Sequence, residues 1–112
     1  MAARRDRIQI TPSSGNVFAD LRLPHADEKQ TKVRLAVAIN QIIAGQDLSQ
    51  VAAARRLKIN QPKISALANY RLDGFSVERL MHFLTALDRD VEIVIRPRSR
   101  SRKSARILVT AA

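Results

Sequence analysis

Apolar residues along this chain recur with helical period over most of its length and with a period of two near both ends. Leu35, Ile39 and Ile42 fall at i, i+4 and i+7, and Ala36 and Ile43 widen the stripe, the spacing of one buried face of an amphipathic helix. Asp27 and Glu28 stand at its start, where negative charge suits the positive end of the helix dipole. Gly45 is a suitable residue for the stop. The pattern predicts a long helix over about 26–44. Ser49 is a good N-cap for a short helix over Gln50–Leu57. Lys58-Ile59-Asn60 has room only for a tight turn, and Asn60 can cap the next helix. Pro62 falls in that helix's first turn, where a missing N–H costs little. Ile64, Leu67 and Ala68 give this third helix, ending near Asn69, one apolar stripe. Leu72-Asp73-Gly74 reads as a turn, and Ser76 caps a fourth helix with Val77, Leu80, Met81, Leu84 and Leu87 inward.

Two segments alternate instead. Val17, Ala19, Leu21 and Leu23 are apolar at every second position, as in a short strand or an extended arm. Asp90–Ile95 is rich in β-branched residues and predicts a strand over about 90–96. The expected fold is mainly α, with four to five helices, a short C-terminal strand and a short N-terminal strand or arm. The expected organisation is an arm over 1–24, a helical domain over 25–96, and a basic, disordered tail over 97–112. A lone strand in a helical domain has no stable partner, and an apolar edge invites another chain. Val91, Ile93 and Ile95 are therefore the expected dimerisation residues. Antiparallel pairing between two chains is favoured over pairing with Val17–Leu23 of the same chain.

Charge changes the picture more than composition does. The 112 residues carry 20 Lys and Arg against 10 Asp and Glu, a net +10. Residues 1–7 contribute +2 and residues 96–112 contribute +6. Within the middle, residues 49–71 hold Arg55, Arg56, Lys58, Lys63 and Arg71 with no acid, and the rest of the middle is net negative. The basic island coincides with the two short helices, and an anionic partner is the physical reading. Aromatic residues are 4%, too few for a base-stacking RNA surface. The chain has no Cys, so neither a disulfide scaffold nor thiolate chemistry applies, and a reducing compartment fits. No apolar run approaches a membrane span. His25 and His82 are far apart in sequence, and no Gly-rich phosphate loop occurs. Neither an enzyme nor a metal or cofactor protein is expected.

Two short helices joined by three residues form a helix-turn-helix when their interiors mesh. Ala53, Leu57, Ile59, Ile64 and Leu67 supply the interior, and Ala54 is small at the crossing. The major groove of DNA, about 12 Å wide, admits one helix. Gln61, Lys63, Ser65 and Ala66 are the candidate base readers. A Gln amide can pair adenine bidentately, a Lys ammonium can donate to guanine, and a methyl can meet thymine. Ser49 and Gln50, at a helix N-terminus, together with Asn69, Tyr70 and Arg71, are the candidate phosphate ligands.

The segment Leu48-Ser49-Gln50-Val51-Ala52-Ala53-Ala54-Arg55-Arg56-Leu57-Lys58-Ile59-Asn60-Gln61-Pro62-Lys63-Ile64-Ser65-Ala66-Leu67 resembles the helix-turn-helix of the phage-repressor (XRE/Cro-CI) family. Ser14–Leu21 and Leu72-Asp73-Gly74-Phe75-Ser76 are similar to a narrower group, the HigA-like antitoxins paired with RelE-like toxins. The resemblance implies a lambda-repressor-like domain and a cytoplasmic dimer that represses at a palindromic operator and neutralises a toxin. Two departures stand out. Lys58 occupies a turn position often filled by Gly, so either the turn is wider or a non-Gly residue bears a left-handed backbone. The 91–95 segment replaces the further helix of many phage repressors. The alternatives are a stand-alone regulator without a toxin and a nonspecific nucleic-acid binder acting through its Arg-rich ends. The segment 8–24 is the better candidate for toxin contact, since a basic tail suits a basic toxin poorly.

Overall fold

The computed structural model describes residues 24–111. Among the described residues the helices are α1 (Pro24–Gly45), α2 (Gln50–Leu57), α3 (Gln61–Ala68) and α4 (Val77–Ala86). The predicted arm, the Val17–Leu23 alternation and most of the segment assigned to toxin contact lie outside the described residues.

Local chemistry sets the helix starts. Ser49 Oγ accepts the Ala52 N–H at 3.1 Å, Asn60 Oδ1 the Lys63 N–H at 3.0 Å, and Ser76 Oγ the Arg79 N–H at 3.0 Å. All three caps have extended backbone, as a capping residue must. α1 begins at Pro24, two residues before the expected start, and Asp27 lies in its first turn.

The helix ends share one device. Leu48 N–H reaches back to the Ile43 carbonyl at 3.1 Å, Ile59 to Ala54 at 3.0 Å, Arg71 to Ala66 at 2.9 Å and Arg89 to Leu84 at 3.0 Å. The preceding residues Asp47, Lys58, Tyr70 and Asp88 donate to Ala44, Arg55, Leu67 and Thr85. These paired bonds form Schellman motifs, which need a left-handed residue. Their φ values are 56°, 58°, 59° and 63°, and none is glycine. The expected stop at Gly45 is thereby corrected: Gly45 is the last helical residue and Asp47 takes the left-handed position. Lys58 settles the turn question, since its ψ of 45° gives the full left-handed geometry despite its side chain.

The core joins all four helices. Leu35, Ala36 and Ile39 of α1, Ala53, Ala54 and Leu57 of α2, and Ile64 and Leu67 of α3 are buried. Leu72 and Phe75 of the connecting loop are buried as well, with Leu80, Phe83, Leu84 and Leu87 from α4 and its end. α1 packs on α3 and α4, and α2 packs on the same two helices. Phe75 and Phe83 meet edge-to-face at 5.8 Å between centroids, a favoured aromatic geometry.

The expected strand is corrected too. Residues 90–96 form no strand among the described residues. A strand is defined by its neighbour's backbone, and within this single chain no described segment supplies one. The two-residue period persists in burial: Val91, Ile93 and Ile95 are half-buried, while Glu92, Val94 and Arg96 are exposed. Beyond residue 96, Val109 packs against the core.

Candidate nucleic-acid interface

α2, the turn and α3 form a helix-turn-helix held by α1 and α4. The turn is the Schellman motif at Lys58, followed at once by the Asn60 cap. From α1, Asn40 Nδ2 donates to the Leu67 carbonyl at 3.1 Å, satisfying an end carbonyl of α3. From α2, an Arg56 guanidinium N–H donates to the Ala86 carbonyl at 3.3 Å, fixing α2 to the end of α4. Neither contact was foreseen from the sequence, because each joins residues distant along the chain.

α3 has a clear outward face. Gln61, Pro62, Ala68 and Asn69 are exposed, and all four stand three or four residues from Ser65. They are therefore neighbours of Ser65, itself half-buried, on the helix surface. Ile64 and Leu67 are the buried residues of α3. Ala66 is half-buried and packs against the core, whereas Ala68, expected inside, is exposed. Ala68, at the last helical position, is thus exposed where Ala66 is the expected outward methyl. Asn69 Nδ2 donates back to the Ser65 carbonyl at 2.9 Å, which holds its side chain against the helix.

Lys63 does not share that face. Its ammonium donates to the Gly74 carbonyl at 3.1 Å and lies 4.9 Å from the centroid of the Phe75 ring. A cation over an aromatic face and an accepting carbonyl are both favourable. The Lys63 side chain thus ties α3 to the loop before α4.

The N-terminus of α2 differs from that of α3 in what it offers an anion. In α3, Pro62 has no N–H and the Lys63 N–H is taken by its cap, leaving Gln61. In α2, Ser49 serves Ala52 and Ala53, leaving the N–H groups of Gln50 and Val51 ahead of the first helical bond. Ser49, Gln50, Tyr70 and Arg71 are all exposed. Arg55 and Lys58 are exposed nearby in sequence, and no acid lies between Asp47 and Asp73. The described residues contain no His, Cys, Asp and Glu cluster suited to a metal. No described helix is long and apolar enough to cross a membrane.

Four described helices with a capped helix-turn-helix and an acid-free outer face are the architecture of a DNA-binding regulator. A family model described as a helix-turn-helix domain matches residues 17–96. A solved structure named "Putative XRE Family Transcriptional Regulator" is 66% identical. The match covers 80% of this chain and 100% of that one, with a TM-score of 0.77. A search of curated proteins finds no match. The chain belongs to the helix-turn-helix domain family and, within it, to the XRE family of DNA-binding transcriptional regulators, which are not enzymes.

Proposed function

We propose that this protein is a sequence-specific repressor that binds a palindromic operator as a dimer, with α3 in the major groove. The observation that carries the reading is the α3 surface of exposed Gln61, Pro62, Ala68 and Asn69 with half-buried Ser65, beside the acid-free, basic α2. Gln61 supplies the bidentate amide, Ser65 a hydroxyl, and the Ala68 methyl an apolar contact for thymine. Ala66 stands at the flank of this face. Lys63 acts as a strut that orients α3, and reading a base would require it to leave the Gly74 carbonyl. The N-terminus of α2 at Ser49 and Gln50, with Asn69, Tyr70 and Arg71 at the far end of α3, takes phosphates and sets register.

Dimerisation proceeds through Val91, Ile93 and Ile95. Their alternate burial leaves a segment of strand-forming residues ready to pair with a second copy. Two recognition helices can then meet half-sites about 34 Å apart. The narrower role of antitoxin to a RelE-like toxin rests on the resemblance at Leu72–Ser76 and at Ser14–Leu21, the latter outside the described residues. Copurification of a toxin encoded by the adjacent gene supports that role, and failure to copurify on joint expression removes it. The site of action is the cytoplasm, where the operator lies. The main reading is tested by selection of duplexes from a random library. A palindromic motif enriched by this protein supports it, and indiscriminate binding overturns it.

A further inference from the structure

The polypeptide after α4 leaves the core and returns to it. Val91 and Val109 both pack against the buried cluster. Between them the chain turns at Ser99–Arg102, where the Arg102 N–H donates to the Ser99 carbonyl at 3.1 Å. The Arg98 guanidinium braces the same turn by donating to the carbonyls of Ser99 and Arg102. The Ser101 N–H donates to Ser99 Oγ at 3.3 Å.

Residues 96–106 carry Arg96, Arg98, Arg100, Arg102, Lys103 and Arg106 and no acid. All six are exposed except Arg102, which is half-buried. A run of like charge extends when free, because the charges repel. Here it is bent and fastened at both ends, which keeps the repulsion unrelieved. A polyanion that neutralises several of these charges at once relieves it, and the releasable counterions favour binding further.

We propose that residues 96–106 are a basic loop, anchored through Val91 and Val109, that grips the phosphate backbone of the duplex held by α3. The proposal rests on the DNA-binding reading of the helix-turn-helix. Duplex DNA fits better than a single strand, because residues 90–111 contain no aromatic side chain on which unpaired bases could stack. Arg forks suit phosphate oxygens, and backbone contacts of this kind add affinity without reading sequence. The anchoring distinguishes the loop from a polycationic tail: a fastened loop presents its charges at a fixed place relative to α3.

The test uses the full chain, a duplex enriched by it from a random library, and a scrambled duplex, over a salt series. In the variant Arg100→Ala/Lys103→Ala/Arg106→Ala, the slope of log affinity against log salt falls by roughly 2–3 on both duplexes. The preference between the duplexes stays unchanged. The variant Val109→Ser keeps the net charge but releases one anchor, and it weakens binding to both duplexes while circular dichroism shows the helices retained. An unchanged slope in the triple variant overturns the proposal. So does wild-type affinity in Val109→Ser, which would mean that a free tail suffices. Stronger competition by single-stranded RNA than by scrambled duplex also overturns it. Failure of the helix-turn-helix reading looks different: the wild-type chain then shows no preference between duplexes, whatever the slope does.

Discussion

The Lys63 ammonium on α3 is fastened to the Gly74 carbonyl, 3.1 Å away, and a Cβ on Gly74 would stand 2.8 Å from that same nitrogen. The absence of a side chain at Gly74 is what lets the lysine reach the backbone and lie over Phe75. Gly74 has no positive φ, so backbone conformation does not demand glycine there. Gly74→Ala should therefore push the flexible lysine tip aside and cost about 1 kcal/mol or less, the scale of one exposed hydrogen bond. Thermal unfolding measures that. Lys63→Met keeps much of the contact with Phe75, loses the hydrogen bond, and should leave the preferred DNA sequence unchanged. A changed base preference in Lys63→Met would make Lys63 a reader rather than a strut.

The four left-handed helix ends suggest a route to higher stability. A non-Gly residue in this backbone region carries a penalty of roughly 1 kcal/mol. Lys58→Gly removes the penalty in the turn of the motif and should raise the melting temperature by about 4–8 °C, as 1 kcal/mol does in a domain of this size. Lys58→Val, with a β-branched side chain at the same φ of 58°, should lower it.

The caps should divide into two kinds. Ser76→Ala loses the bond to the Arg79 N–H and should cost about 1 kcal/mol of stability with little effect on DNA preference. Asn60→Ala costs about the same, but it frays the first turn of α3, where Gln61 sits. DNA binding by Asn60→Ala should fall beyond what its melting temperature alone accounts for, as equilibrium titration well below the melting temperature would show.

The proposed dimer would associate through the half-buried side of residues 91–95. Ile93→Asp places a charge on that side and should yield monomers by sedimentation equilibrium, with a large loss of affinity for a palindrome and a small one for a single half-site. An unchanged dimer would move the interface elsewhere.

The caps and the turn were legible in the sequence because they are local: Ser49, Asn60 and Ser76 each bond an N–H three residues on. Most of the core was legible for a related reason, since Leu35, Ile39, Ile64, Leu67, Leu80 and Leu84 repeat at helical spacing and are all buried. Ala66 and Ala68 were interchanged because two methyl side chains carry no hydrophobic signal strong enough to orient an eight-residue helix. The sequence offers Lys63 as a base reader because its partner, Gly74, lies eleven residues away in a loop whose path the pattern does not determine. Gly45 attracted the helix stop on propensity, yet the stop falls where Leu48 turns back to Ile43, two residues later at Asp47. The 91–95 alternation was real, but alternation alone does not supply the neighbouring backbone that makes a strand.

The outward face of α3 is proposed to read base edges. Parallel random-library selections with the wild-type chain and Gln61→Ala test it most directly. The wild type should yield a palindromic motif. Gln61→Ala should yield a motif that has lost discrimination at one symmetric pair of positions, worth about 1–3 kcal/mol per contact. Identical motifs for the two proteins, or no motif for the wild type, would contradict it.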